Sequence, residues 1–120
     1  MQILSHRGYW KAPGEKNTQA AFSRSFELGF GTETDFRDCA GNLVVSHDPP
    51  SGDAMLASSF FEHVASYNFM NPLALNIKSD GLQDQVKHLI ERYQVRDAFV
   101  FDMSIPDSIQ WINTGVPIFT

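Results

Sequence analysis

The sequence predicts an α/β fold built on a parallel sheet. Short apolar strands alternate with amphipathic helical stretches, and the intervening helices are long enough to require crossover connections. Ionisable residues also gather where those strands end, as they do at the carboxyl edge of parallel sheets. A parallel sheet must be covered by helices on both faces or close into a barrel with one outer ring. A closed eight-stranded barrel takes about 250 residues, and this chain has 120. It stops in mid-strand, so the expectation is a fragment supplying about five of eight strands, in preference to an open five-stranded sheet standing alone.

The elements follow in order. Residues 2–6, "QILSH", read as a strand. Residues 17–29 read as a helix with Asn17 or Thr18 as N-cap, Ala21, Phe22 and Phe26 as its apolar stripe, and Gly29 closing it. "TETDFR" (32–37) is a second strand, "AGN" (40–42) a turn, and "LVVSH" (43–47) a short strand that makes a hairpin with it. A Ser-capped helix is expected over 58–67, a strand over 73–78, and a helix over 81–94 with Leu82, Val86, Leu89, Ile90 and Tyr93 on one side. The strand 98–102, a helix over 105–115 with Pro106 in its first turn, and a strand over 116–120 complete the pattern. Residues 1–120 are read as a single domain, C-terminally incomplete.

Composition narrows the function. A hydrophobic content of 42% with ten Phe is enough for a core. The net charge of −5 gives no basic footprint, which argues against nucleic acid as a partner. A lone Cys39 excludes an intrachain disulfide. No apolar run is long enough to span a bilayer, and the N-terminus has no signal-peptide pattern. A cytoplasmic protein is expected.

Alternation puts Leu4 with His6, Glu33 with Asp35, and Asn76 with Lys78 on shared faces of their strands. They can therefore converge on one mouth, over which the hairpin carries His47 and Asp48. Two like charges at Glu33 and Asp35 repel unless a cation lies between them, and carboxylate oxygens are the ligands that magnesium and calcium prefer. Two histidines flanking a bound phosphate suit general base and acid. The planar fork of Arg7 and the point charge of Lys78 suit phosphate oxygens. These groups suggest metal-assisted phosphoryl transfer, and no G-x-x-x-x-G-K-[ST] loop is present to suggest a nucleotide P-loop.

The stretch "SHRGYW…EKNTQAAFSRSFELGFGTETDFRDCAGNLVVSHD" resembles the N-terminal half of the glycerophosphodiester phosphodiesterase family, within the phosphatidylinositol-specific phospholipase C-like superfamily. That family's pattern runs H-R-G, E-N-T-x-x-A-F, E-x-D, V-V-x-H-D and later E-x-K. The match is nearly continuous over 5–48 and weaker through "LALNIK" and "FDMS". The resemblance implies a TIM (β/α)8 barrel that hydrolyses phosphodiesters of glycerol or related alcohols. It implies His6 and His47 as the acid–base pair, Arg7 on phosphate, and Glu33 and Asp35 around a divalent Mg2+ or Ca2+; Asn76 is read evenly as a further ligand or a substrate contact. A neighbouring glycerol hydroxyl attacks phosphorus in such enzymes, and water opens the cyclic phosphate.

Two departures stand out. Asn76 occupies the place of the Glu in E-x-K, which removes a negative charge and weakens divalent binding unless another carboxylate compensates; Asp102 is the candidate. Lys16 stands where the family usually has Glu before Asn-Thr, changing the loop over the mouth. Tyr9 and Trp10 are candidates for an apolar wall around the leaving alcohol. The expected partner is a small phosphodiester, with self-association to be tested if the natural chain is this short. A metal-free phospholipase C-like enzyme and a non-catalytic phosphate- or sugar-phosphate-binding barrel are the competing readings.

Ordinary structural roles are expected elsewhere. His63 and His88 are expected on the surface and Cys39 in a turn. Phe22, Phe26, Phe30, Phe60, Phe61, Phe69 and Phe99 are expected in the core, and Trp111 packs its helix onto the sheet. Asp48 orients His47 or starts the "DPP" turn, and Asp102 caps the following helix or binds a neighbour.

Overall fold

The computed structural model describes residues 2–68 and 70–119. Among them the sheet has seven strands: β1 (Leu4–His6), β2 (Gly31–Cys39), β3 (Asn42–Val45), β4 (Met55–Leu56), β5 (Leu73–Ile77), β6 (Ala98–Phe101) and β7 (Ile118–Phe119). Four helices intervene: α1 (Gln19–Glu27), α2 (Ala57–Ser66), α3 (Gln83–Arg92) and α4 (Ile105–Ile112). The strands β1, β2, β5, β6 and β7 all run parallel and correspond to the five main strands expected. The pair β2–β3 is the expected antiparallel hairpin, with Phe36 opposite Val45.

All four helices lie on one face of this sheet. Phe22 and Phe26 of α1, Phe60, Phe61 and Val64 of α2, Val86 and Leu89 of α3, and Trp111 of α4 form a single cluster with Phe36, Leu73, Leu75, Ile77 and Val100. A chain of hydroxyls ties α1 to the first two strands, Ser5 Oγ to Ser25 Oγ at 2.7 Å and Ser25 Oγ to Thr32 Oγ1 at 2.8 Å. The buried Asp107 carboxylate joins α4 to the start of α3. It accepts from Gln83 Nε2 at 2.6 Å, Gly81 N at 3.1 Å and Trp111 Nε1 at 3.0 Å. The opposite face carries Leu4, His6, Glu33, Asp35, Asn76, Phe99, Phe101 and Phe119 by strand register. An open sheet covered by helices on both faces is therefore not what the described residues form.

Several local expectations are corrected. α2 begins at Ala57, one residue early, and its N-cap is Leu56 with no side-chain cap bond; the chain enters the helix straight from β4, leaving no turn for a serine cap. β4 itself, two residues paired with Val44 and Val45, was not anticipated, nor was a 3₁₀ turn at Pro13–Glu15. Cys39 ends β2 instead of lying in the turn, because the hairpin ladder extends to Cys39 opposite Asn42. His63 is half-buried beside Phe26 and exchanges a hydrogen bond with Ser23 Oγ at 2.9 Å, while His88 is exposed as expected. Phe30 and Phe99 are only half-buried, Phe99 because it lies on the helix-free face against Phe119, ring centroids 4.7 Å apart. Phe69 lies outside the described residues, as does the end of the last expected strand at Thr120. No helix among the described residues is long and apolar enough to cross a membrane.

Candidate active site

The loop after β1 reverses sharply to deliver Arg7 beside Glu33. Arg7 and Gly8 both take left-handed backbone angles, φ 61° and 82°, a region where glycine carries no steric cost. Gly8 is required for a second reason, since a Cβ there would approach the backbone and Cβ of Ala21 at 2.8 Å. The loop is latched at several points. Arg7 N donates to Glu33 O at 3.0 Å, Tyr9 N to Ala21 O at 2.9 Å, and Asn17 N to Arg7 O at 2.9 Å. The cap of α1 is Thr18, whose hydroxyl accepts from Ala21 N. This releases Asn17 for the site, where its amide donates to Asp35 Oδ2 at 3.0 Å and accepts from Thr34 Oγ1 at 2.9 Å.

Glu33 and Asp35 are buried on the helix-free face, and Asp35 pairs in register with Asn76 on β5. Arg7 Nε lies 3.2 Å from Asp35 Oδ2, close enough for charge attraction but not aligned as a hydrogen bond. Arg7 N also donates to Glu33 Oε2 at 3.2 Å. Even so, Glu33 Oε1, Asp35 Oδ1 and Asn76 Oδ1 are buried without any hydrogen-bond donor. A buried acceptor left unpaired costs on the order of 1–3 kcal/mol. All three are oxygens of the hard type that magnesium and calcium take, and they could hold such an ion. Burial and the neighbouring Asp35 charge push the Glu33 carboxyl up to about 7.

The Asp102 carboxylate accepts from Lys78 Nζ at 3.0 Å, and this contact foremost, with the nearby Asn76 side chain, holds it below the usual carboxylate range. Asp102 is 56% exposed and, of the two structural roles expected for it, binds a neighbour, Lys78. The α4 cap is Ser104. No group of three His, Cys, Asp or Glu side chains among the described residues is arranged as a metal centre. Two carboxylates and one amide are what the chain offers.

His6 ends β1 with its Nε2 3.4 Å from Glu33 Oε2. Burial and the Arg7 charge hold the imidazole below its ordinary value. His47 follows β3, and its Nδ1 lies 2.9 Å from Asp48 Oδ1. Of the two roles expected for Asp48, orienting His47 is the one its geometry provides. His47, Asp48, Arg7, Lys16 and Asn17 line one cavity of about 450 Å3, to which Pro49 and Pro50 also contribute. The Trp10 indole N–H donates to His6 O at 3.0 Å, and Tyr9 stacks on Phe30 with ring centroids 6.1 Å apart.

One residue that sequence reasoning missed is Arg37. Its Nε donates to His47 O at 2.9 Å and its Nη1 to Lys78 O at 3.5 Å, so one guanidinium ties together the two loops that carry His47 and Lys78. The signal was present in the alternation Glu33, Asp35, Arg37, which places all three on one face. Asn17 was read only as a possible cap, and nothing in its spacing announced the bond to Asp35.

No family model matches the sequence, and comparison with curated proteins finds no match either. Among solved structures, the fold is similar to that of a glycerophosphodiester phosphodiesterase from Agrobacterium tumefaciens, with a TM-score of 0.77 and 22% sequence identity. The alignment covers 95% of this chain and 63% of that one. The family whose motifs the sequence resembles is thus also the family of a protein that shares its fold.

Proposed function

We propose that the chain carries the catalytic face of a phosphodiesterase that hydrolyses glycerophosphodiester-like substrates with a divalent cation, on a (β/α)8 barrel whose first five strands are β1, β2, β5, β6 and β7. The observation that carries this reading is the set of three donorless oxygens, on Glu33, Asp35 and Asn76, beside Arg7 and His6. Glu33, Asp35 and Asn76 would hold the cation, which when bound supplies Lewis-acid polarisation of a phosphoryl oxygen. The one-sided packing of all four helices supports the barrel, since it leaves the strands' other face free to line an interior.

The chain's own residues account for the proton transfers. His6, whose imidazole burial and Arg7 hold below its ordinary value, suits the general base, taking the proton of the glycerol hydroxyl as its oxygen bonds to phosphorus. His47, fixed by Asp48, gives a proton to the alcohol oxygen as its bond to phosphorus breaks. The roles reverse when water opens the cyclic phosphate. Arg7 and Lys78 balance charge on the phosphoryl oxygens.

Turnover of a glycerophosphodiester, followed by release of the alcohol, tests the proposal. Magnesium or calcium is expected to raise the rate tenfold or more over the rate in excess chelator. Full activity in chelator would instead favour the metal-free phospholipase C-like reading. Tight binding of the diester with no turnover in either condition would favour a non-catalytic phosphate-binding barrel.

Arg37 acts at one remove, as a positioning residue for His47. Arg37→Ala is expected to lower kcat about fivefold to tenfold with little change in KM, because a displaced proton donor costs rate more than binding. Arg37→Lys restores part of the loss. A rise in KM with kcat unchanged would place Arg37 on the substrate instead.

A further inference from the structure

Lys16 differs from the other cations of the site. Arg7 lies against Asp35, Lys78 against Asp102, and Arg37 donates to two carbonyls. Among the described residues no carboxylate lies within ion-pair distance of Lys16. Glu15, next to it, is turned out of the cavity: it accepts from Lys11 N at 2.8 Å and pairs with Arg24 at 2.8 Å. The loop therefore brings a lone ammonium, and no carboxylate, to the cavity that Arg7, His47 and Asp48 also line. Among the described residues that line it, the one carboxylate, Asp48, is held by His47 Nδ1.

The ammonium of Lys16 rests over the Trp10 ring, 4.7 Å from its centroid. Trp10 is itself fixed by its bond to His6 O. An aromatic face in such a place would ordinarily attract a quaternary ammonium alcohol. Here the chain's own cation already covers it.

We infer that Lys16 selects the alcohol half of the substrate, and that the preferred alcohol carries an anionic group, a carboxylate or a phosphate, which pairs with its ammonium. The inference rests on the phosphodiesterase reading above and names the substrate class for that site. Cationic alcohols are disfavoured by repulsion and by loss of the indole face. Neutral alcohols are accepted without gain.

Four diesters of glycerol phosphate test this, with 3-hydroxypropanoate, a phosphorylated propanediol, propanol and choline as their alcohols. The expected kcat/KM is about tenfold higher for both anionic diesters than for the propyl one, as for one charge-assisted contact, and lower again for choline. The larger of the two anionic gains identifies carboxylate or phosphate as the source. Lys16→Gln is expected to remove the ranking while leaving the propyl rate unchanged, and Lys16→Arg to keep it. Equal rates on all four, or a proportional loss on all four in Lys16→Gln, overturns the inference and leaves phosphodiester hydrolysis standing. If no diester is turned over, calorimetric binding of the same four reads Lys16 independently. A preference of about tenfold for the anionic diesters, lost in Lys16→Gln, sustains the inference; equal affinities overturn it.

Discussion

Replacing His47 by alanine is expected to slow hydrolysis of a glycerophosphodiester with an alkyl alcohol by about 10²–10⁴, the usual worth of a positioned proton donor. The same variant is expected to lose far less on a diester whose alcohol is 4-nitrophenol, because that leaving group departs without a proton. His6→Ala should lose comparably on both, since a base acts on the attacking hydroxyl whatever leaves. The proposed roles rest on environment. Burial and the Arg7 charge hold the His6 imidazole below its ordinary value, while Asp48 holds His47 through its Nδ1. Asp48→Asn is expected to fall between wild type and His47→Ala on the alkyl diester, as it removes orientation and keeps the ring. Equal losses on both substrates for His47→Ala, with unaltered melting, would refute its role as the acid. A leaving-group effect confined to His6→Ala would exchange the two roles.

Much of this site was legible before any coordinates, and the reason is periodicity. Two-residue alternation fixes which side of a strand a group lies on, so Glu33 with Asp35 and Asn76 with Lys78 needed only the assignment of β2 and β5. The hairpin followed from the turn at 40–42 between two apolar runs, and it carried His47 with it. What was not legible depends on partners distant in sequence. β4 exists because Val44 and Val45 offer it a ladder, and two residues carry no pattern of their own. The Ser cap expected at α2 failed because the preceding strand already sets the helix entry. Asn17 looked like a cap because Asn is a good one; only the fold brings Asp35 within 3.0 Å of its amide. Lys16 could be noted as a departure, but the ring beneath it and the free cavity beside it are three-dimensional facts.

Asn76→Glu is expected to tighten binding of magnesium or calcium by about 10- to 100-fold, because affinity at oxygen sites rises with the number of charged ligands. The substitution places a third carboxylate on a face where Glu33 is already pushed up to about 7 by burial and by Asp35. Without a cation, that added charge should destabilise the fold by about 1–3 kcal/mol. Loss of the Asn76 amide near Asp102 acts in the same direction, although Lys78 remains as that carboxylate's principal partner. With a cation the order reverses, since a ligand that binds only the folded state adds stability in proportion to its affinity. The gap between melting temperatures in saturating divalent ion and in chelator should therefore widen from wild type to Asn76→Glu and shrink in Glu33→Gln. Calorimetric titration gives the affinities directly, with no dependence on turnover. Identical affinities in wild type and Asn76→Glu would show that position 76 lies outside the ion's reach. An asparagine there would then belong to the substrate phosphate and not to the metal.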